Sequence, residues 1–417
     1  DQHRLDAIEQ IHFTNTYTRS ISMIVVNVPP AHDRARFDLR SIQLNQAPGR
    51  VKLIGSVLTI SLPSDLAPNA SVDLTIDFTV YIPALADTQS FASSNLAYTD
   101  EATNIGYWYP ILAPFRSGKW ISVPWYPIGD PFASDIADYT ATITATPGVT
   151  VVAGGLMSHQ DNVWHYAIDR ARTFGMLASS HYVETHYTFS GVTYSVYTFD
   201  RHTILAWPAL YTLVRAAQLY GQLYGTYPYS TLRAAEVSGP WSMEFSGLVA
   251  IGSTDYAGYD DTTHNRLFRI IAHEVSHQWW YNIVGDNQVQ EPWLDEGFAR
   301  FNELRFYETY SPQDAQWWWS TIIDPWTAEG PIDQPISSFD SQRVYLTDVY
   351  NQGAQFLDAL RTRLGRSNFN LFMRDLFQRE AFGLMTTNDF FSVVREHTKV
   401  NLASLLRKYF SRKYWYK

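Results

Sequence analysis

Along Val72–Tyr81 apolar and polar side chains alternate with a period of two, as in a strand with one buried face. Ser56–Leu62 and Tyr139–Ala145 repeat the alternation, and Ile21–Val28 is an apolar run of strand length. Pro147-Gly148, Gly154-Gly155, Asp161-Asn162 and Ser190-Gly191 supply turns between such segments. Residues 1 to about 200 therefore read as many short strands forming a sandwich or saddle-like sheet domain, with no helix interrupting it. Tyr107–Pro131 breaks the pattern. It is crowded with aromatic, proline and glycine residues and is expected to be a long ordered loop that packs two domains together, part of it walling a site.

Beyond Arg201 the period changes. His202–Gly225, rich in Ala and Leu, predicts a helix, and Leu232–Gly252 predicts strands around Ser242-Met243-Glu244-Phe245-Ser246-Gly247-Leu248. Asp260-Asp261-Thr262-Thr263 offers capping residues for a helix over roughly Asn265–Tyr281, with Leu267, Ile270 and Ile271 on its buried face and Gly285 as the stop. Pro292 suits the first turn of a further helix running to about Tyr310, before Pro312. From Gly353 onward the pattern is helical, and Thr386-Thr387-Asn388-Asp389 reads as a helix start. The expected architecture is α+β and multidomain: an N-terminal all-β domain over residues 1–200, then a mostly helical domain over 201–417.

Composition narrows the chemistry. With 31 basic and 41 acidic residues the net charge is −10, and no basic run appears, so nucleic acid is not an expected partner. The absence of cysteine excludes disulfides and thiolate ligands, so any transition metal must sit on His, Asp or Glu. No apolar run approaches the roughly 20 residues needed to span a bilayer as a helix. The low charged fraction of 17% beside 15% aromatics, together with a first residue that is not Met, gives the expectation of an exported protein.

The chemistry concentrates in Ile270–Phe301. His273-Glu274-Val275-Ser276-His277 is an H-E-x-x-H motif, and eighteen residues separate His277 from Glu296. Positions i and i+4 share a helix face, so two imidazoles can meet one ion. Glu296 can complete three protein ligands, leaving a fourth place for water. Such an ion lowers the pKa of its water to about 7 and polarises a carbonyl. Glu274 is placed to take the water's proton rather than to ligate. Glu303, two turns past Glu296, is a candidate for bonding a ligand imidazole from behind. His202, His264 and His397 lack this spacing and are expected to cap, pack or lie at the surface.

These residues resemble a known family. HEVSHQWW, WLDEGFA, the upstream SMEFSGL and VYNQGAQFL make residues 202–417 similar to the catalytic domain of zinc aminopeptidases of the membrane-alanyl-aminopeptidase and leukotriene-hydrolase type, gluzincins with a thermolysin-like fold. YPIGDPFASDIADYTATI resembles a segment of the family's β domain. The resemblance implies one zinc ion on His273, His277 and Glu296, with Glu274 as general base. It implies that Glu244 holds the substrate's free α-amino group, with Met243 beside it in the substrate site, and that Tyr350 donates to the tetrahedral oxyanion. Tyr345 is the expected substrate-site neighbour. Trp241-Ser242 replaces the family's Gly-Ala, Phe245 its Asn, and Gln352 its usual Lys. Trp241 and Phe245 are thus expected to crowd the amine pocket. RKYFSRKYWYK resembles the end of the catalytic domain, where relatives continue into a further helical domain, so a more open cleft is expected.

The implied activity is removal of N-terminal residues from peptides with a free N-terminus. The alternatives are a zinc endopeptidase using the same centre without amine recognition, and a non-catalytic interaction module on a peptidase fold. Other divalent ions could occupy the same donors.

Overall fold

The computed structural model describes residues 3–88, 90–412 and 414. Lys413 and residues 415–417, within the closing segment noted above, lie outside the described residues. Two antiparallel sheets build the N-terminal part. One orders Arg4–Thr14, Ser71–Tyr81, Phe37–Leu44 and Ala47–Pro48; the other orders Ile111–Leu112, Ile21–Asn27, Val57–Leu66 and Arg50–Ile54. The alternation in Ser71–Tyr81 does what period two requires: Val72, Leu74, Ile76, Phe78 and Val80 are buried between the sheets. Two smaller sheets follow, one around Ala137–Thr144 and Val163–Ala171, the other around Thr150–Ala153 and Met176–Ser179. Short helices do interrupt this region, contrary to the expectation. Ser90 and Ser93 form a reciprocal capping box that starts Phe91–Ser94, and Pro29–His32 and Leu85–Asp87 are single 3₁₀ turns. All are too short to leave a helical period in the sequence.

A mixed sheet then links the two halves, in the order Tyr182–Phe189, Val192–Phe199, Thr231–Val237, Leu248–Gly252, Met243–Phe245. Val192–Phe199 and Thr231–Val237 run parallel and therefore need a crossover. The helix Ala206–Leu223 supplies it, preceded by a 3₁₀ stretch over Asp200–Leu205. The division expected at residue 200 thus falls between strands of one sheet. Side chains on this sheet alternate between two cores. Leu232, Ala234, Val249 and Ile251 join the helical core, while Ala235, Val237, Met243, Phe245, Leu248 and Ala250 join the β core. Glu244 pairs with Val249 and so faces the helices.

The motif helix Arg266–Ser276 packs on Ala206–Leu223 and on Glu296–Tyr310. Its start is capped by Asn265, which accepts from Phe268 N–H at 3.0 Å, rather than by the Asp260–Thr263 run. It also ends earlier than expected, at Ser276; His277 keeps a right-handed helical conformation at the cap, and the chain then turns irregularly, with Tyr281 at φ +119°. Trp279 and Trp280, both fully buried, pull that turn into the core. After a 3₁₀ turn at Pro292–Leu294, Glu296 opens its helix. Further helices cover Gln352–Leu364, Arg366–Glu380, Thr387–His397 and Ala403–Tyr409; Thr386 and Asp389 form a capping box at the third. No helix among the described residues is long and apolar enough to cross a membrane.

Candidate active site

On the motif helix His273 and His277 present rings with centroids 4.9 Å apart. Glu296 Oε2 lies 3.2 Å from His273 Nε2 and 3.5 Å from His277 Nε2. Metal–ligand bonds of about 2.0–2.2 Å in a tetrahedral zinc site give ligand-to-ligand edges of about 3.3–3.6 Å. Both Glu296 edges therefore fit such a tetrahedron, and the three ligand atoms lie within 4.8 Å of one another. All three residues are buried.

Each imidazole is braced through its other nitrogen. His273 Nδ1 lies 2.9 Å from Glu303 Oε1, and His277 Nδ1 sits against the Asp295 carboxylate, with Trp280 O at 3.2 Å. Glu303 is saturated: Arg269 donates to it at 3.1 and 3.2 Å, Arg300 at 2.7 Å and Trp318 Nε1 at 2.9 Å. Burial alone would raise its carboxyl, but Arg300, Arg269 and His273 hold it well below the usual range. Paired braces of this kind fix ring orientation and tautomer.

The facing side is different. Glu274 is buried and its Oε2 has no hydrogen-bond partner among the described residues. Burial pushes its carboxyl up to about 7, with His273 and His277 acting in the opposite sense. Glu244 brings a carboxylate oxygen within 4.8 Å of ligand atoms of both Glu274 and His277. Its carboxyl is raised by burial first; His277 opposes the rise, while Asp295, Glu274 and Glu296 add to it. Among the described residues its one hydrogen bond is a long contact of 3.4 Å from Gln288 Nε2.

The strand carrying Glu244 is clamped to the motif. Gln278, directly after His277, donates to Phe245 O at 2.9 Å and accepts from Gly247 N–H at 2.9 Å. Gln288 Nε2 spans from Glu244 to Asp295 Oδ2, the latter at 2.6 Å. Met243 faces the β core, where Tyr107 O–H approaches its sulfur at 3.9 Å. Phe245 does not crowd Glu244: strand alternation sends it to the opposite face, against Gly106 and Gly175, where an added Cβ would come within 2.7 and 2.5 Å of its ring. The Trp241 ring packs edge-on against Phe91, 5.3 Å away. Gln352 donates to Gly330 O at 2.7 Å.

Tyr350 lies on a π-helical turn, Leu346–Asn351, a distortion frequent at functional sites. Its ring is parallel to that of His273 at 5.8 Å, and its hydroxyl faces the Glu296 carboxylate. Tyr345 stands beside it, ring centroids 5.6 Å apart, with a buried hydroxyl that lacks a hydrogen-bond partner among the described residues. The helices bearing Glu296 and Tyr350 meet at Gly297 and Gly353; a Cβ on Gly353 would lie 2.7 Å from Gly297 Cα. The other singled-out histidines pair with carboxylates elsewhere: His202 with Glu236 at 2.7 Å, His264 with Asp314 at 2.8 Å, His397 with Asp375 at 2.8 Å.

Gln278, Gln288 and Asp295 escaped the sequence reading. Only Gln278 and Asp295 had a signal, as immediate neighbours of His277 and Glu296. The segment Tyr107–Pro131, expected as one long loop, carries the short strands Ile111–Leu112, Phe115–Arg116 and Lys119–Trp120 and reaches this region as well, Tyr107 O–H lying 3.1 Å from the Tyr281 hydroxyl. Arg172, fully buried, ties the same parts together by donating to Ser134 O, Tyr281 O and Gly383 O at 2.7, 2.7 and 2.8 Å.

Residues 221–409 match the model of the peptidase family M1 domain. Human endoplasmic reticulum aminopeptidase 2 is 33% identical over 128 residues, 28% of this chain and 13% of that protein. Aminopeptidase N of Lactobacillus delbrueckii subsp. lactis is 23% identical over 282 residues, 62% of this chain and 33% of that protein. The chain thus spans a third or less of the length of these two curated relatives. Among solved structures, the M1 zinc metallopeptidase from Deinococcus radiodurans has the same fold at a TM-score of 0.68 and 17% identity, over 96% of this chain and 89% of that one.

Proposed function

We propose, on the premise that this chain is a member of peptidase family M1, that it is a zinc-dependent aminopeptidase hydrolysing the first peptide bond of substrates with a free N-terminus. The observation that carries this is the pairing of a metal-ligand face, His273–His277–Glu296, with a buried carboxylate, Glu244, held within 4.8 Å of His277. The metal face accounts for hydrolysis; the anchor accounts for its direction.

His273, His277 and Glu296 would hold the zinc ion, which when bound lowers the pKa of a water and polarises the scissile carbonyl. Glu274 accepts the water's proton and returns it to the leaving nitrogen, a role that suits a carboxylate whose Oε2 has no protein donor. Tyr350 donates its hydroxyl proton in a hydrogen bond to the developing oxyanion. Glu244 pairs with the α-ammonium, and a fixed anchor leaves room for one residue before the scissile bond. Met243 supports the anchor strand and Tyr345 lines the space beside Tyr350. Glu303 holds the outer nitrogen of His273.

The test is a panel of aminoacyl chromogenic substrates, each free and N-acetylated, with and without a chelator. Free-amine substrates are expected to turn over and acetylated ones to resist, with activity lost to the chelator and restored by zinc. Equal turnover of free and acetylated substrates would favour the endopeptidase reading. No turnover by metal-loaded protein across the panel would favour the non-catalytic one.

A further inference from the structure

The sheet that links the two halves has two edges, and only one of them lies at the site. Met243–Phe245 carries Glu244 at that edge. Tyr182–Phe189 forms the other, with no strand on its outer side among the described residues. An open edge is commonly guarded by proline, lysine or a bulge. Tyr182–Phe189 carries none of these, and it pairs with Val192–Phe199 without a shift of register. Its helix-side face is apolar. Val183, Tyr187 and Phe189 are exposed on the face whose Tyr194 and Val196 join the helical core. Tyr187 and Phe189 stack on each other, ring centroids 6.4 Å apart. The neighbouring turn and crossover helix add Ile204, Trp207 and Tyr211, exposed at 84, 62 and 56%. An exposed apolar cluster of this kind marks an interaction site.

The backbone of the edge says what fits it. Asp200 N–H donates to His181 O at 3.0 Å. Bonded pairs alternate along an antiparallel ladder, so Val183, Thr185, Tyr187 and Phe189 bond inward. Tyr182, Glu184, His186 and Thr188 then turn their N–H and C=O groups outward. An incoming antiparallel strand must set outward residues against outward residues. For a second copy related by a two-fold axis, the axis therefore passes through a residue. Through Glu184 it would oppose two carboxylates, and through His186 two imidazoles. Through Thr185 it pairs all four outward residues, Tyr182 with Thr188 and Glu184 with His186, and each pairing occurs twice. Glu184 and His186 already approach to 3.8 Å within one chain. The same register sets Val183 against Tyr187 of the second copy on the apolar face. Because Asp200–Leu205 packs at the Tyr182 end of the strand, it also brings Tyr187 and Phe189 of the second copy toward Ile204 and Trp207.

We propose that this chain forms a two-fold dimer in which Tyr182–Phe189 of two copies pair antiparallel about Thr185. Two five-stranded sheets become one, with the strands that carry Glu244 at its far ends. Glu184 and His186 are complementary across this pairing and so fix its register.

The experiment combines sedimentation with cross-linking. The wild-type chain is expected to sediment as a dimer at concentrations up to about 100 µM. His186→Pro removes an outward donor that a solvent-facing edge does not need. It is expected to weaken the dimer by roughly 10- to 100-fold and to leave the unfolding midpoint of the chain nearly unmoved. Glu184→Lys, which sets a lysine against His186, carries the same test if the proline variant does not fold. The chain has no cysteine, so one introduced thiol reports the register. At the axis two Thr185→Cys residues form a non-hydrogen-bonded pair with Cα atoms about 4.5 Å apart, within disulfide reach. Oxidised Thr185→Cys is expected to run as a covalent dimer, and Val183→Cys, which faces Tyr187, as a single chain. A wild-type chain that stays monomeric throughout, or whose edge is taken by a different macromolecule, would overturn the proposal. So would a dimer that His186→Pro leaves intact, or cysteine variants that cross-link equally or not at all.

Discussion

Glu303 and Glu244 are both buried acids beside the histidine pair, Glu303 at His273 and Glu244 at His277, yet their surroundings are opposite. Glu303 receives donors from Arg269, Arg300 and Trp318 in addition to its contact with His273. Among the described residues Glu244 has a single hydrogen bond, at 3.4 Å, and its strand places it among other acids. A saturated carboxylate has nothing left to offer a ligand and serves to hold what surrounds it. An unsatisfied one retains its capacity for a partner that arrives later. The proposed metal centre thus has a finished outer side and an unfinished inner side, and on that proposal the inner side is where a substrate would bind.

Breaking the finished side should cost most in stability. Glu303→Ala leaves Arg269 and Arg300 buried without their shared acid, and it is expected to destabilise the fold by about 3–5 kcal/mol, measured by denaturant unfolding. A loss under about 1 kcal/mol would mean that the outer side is not the support it is taken for. On the unfinished side, Tyr350→Phe is expected to lower kcat by roughly 10²–10³ while leaving the unfolding midpoint nearly unmoved. Glu244→Gln should raise KM for free-amine substrates by roughly 10- to 100-fold, again without loss of stability. An unfolding penalty as large as that of Glu303→Ala would erase the distinction between the two acids. The smallest effect is expected at Gly353→Ala, where the new Cβ would meet Gly297 Cα at 2.7 Å. Overpacking of this kind costs about 1–3 kcal/mol. Because the same crossing sets Tyr350 against Glu296, kcat should fall with stability, and a variant as stable and active as the wild type would show the crossing to be loose.

How much of this was legible beforehand follows the range of the interactions. The pairing of His273 with His277 was legible because helix spacing is local, whereas Glu296, on a separate helix, was suggested only by its eighteen-residue separation from the motif. The alternation of Val72–Val80 was legible because one face of that strand is buried along its length, and the Thr386–Asp389 cap because it is contained in four residues. The end of the motif helix was not. Two tryptophans drawn into the core stop it at Ser276, a tertiary effect that overrides an otherwise helical pattern. The expected crowding by Phe245 came from treating neighbours in sequence as neighbours in space; on a strand, adjacent residues face apart. Gln288 could not be found at all. It reaches Glu244 from a loop, and polar residues in loops carry no period.

The central claim is that Glu274 is the proton carrier of a metal site formed by His273, His277 and Glu296. It is tested most directly by measuring bound zinc and turnover together in Glu274→Gln. The account predicts wild-type zinc content with turnover reduced by roughly 10²–10⁴. Undiminished turnover at full zinc occupancy would contradict it.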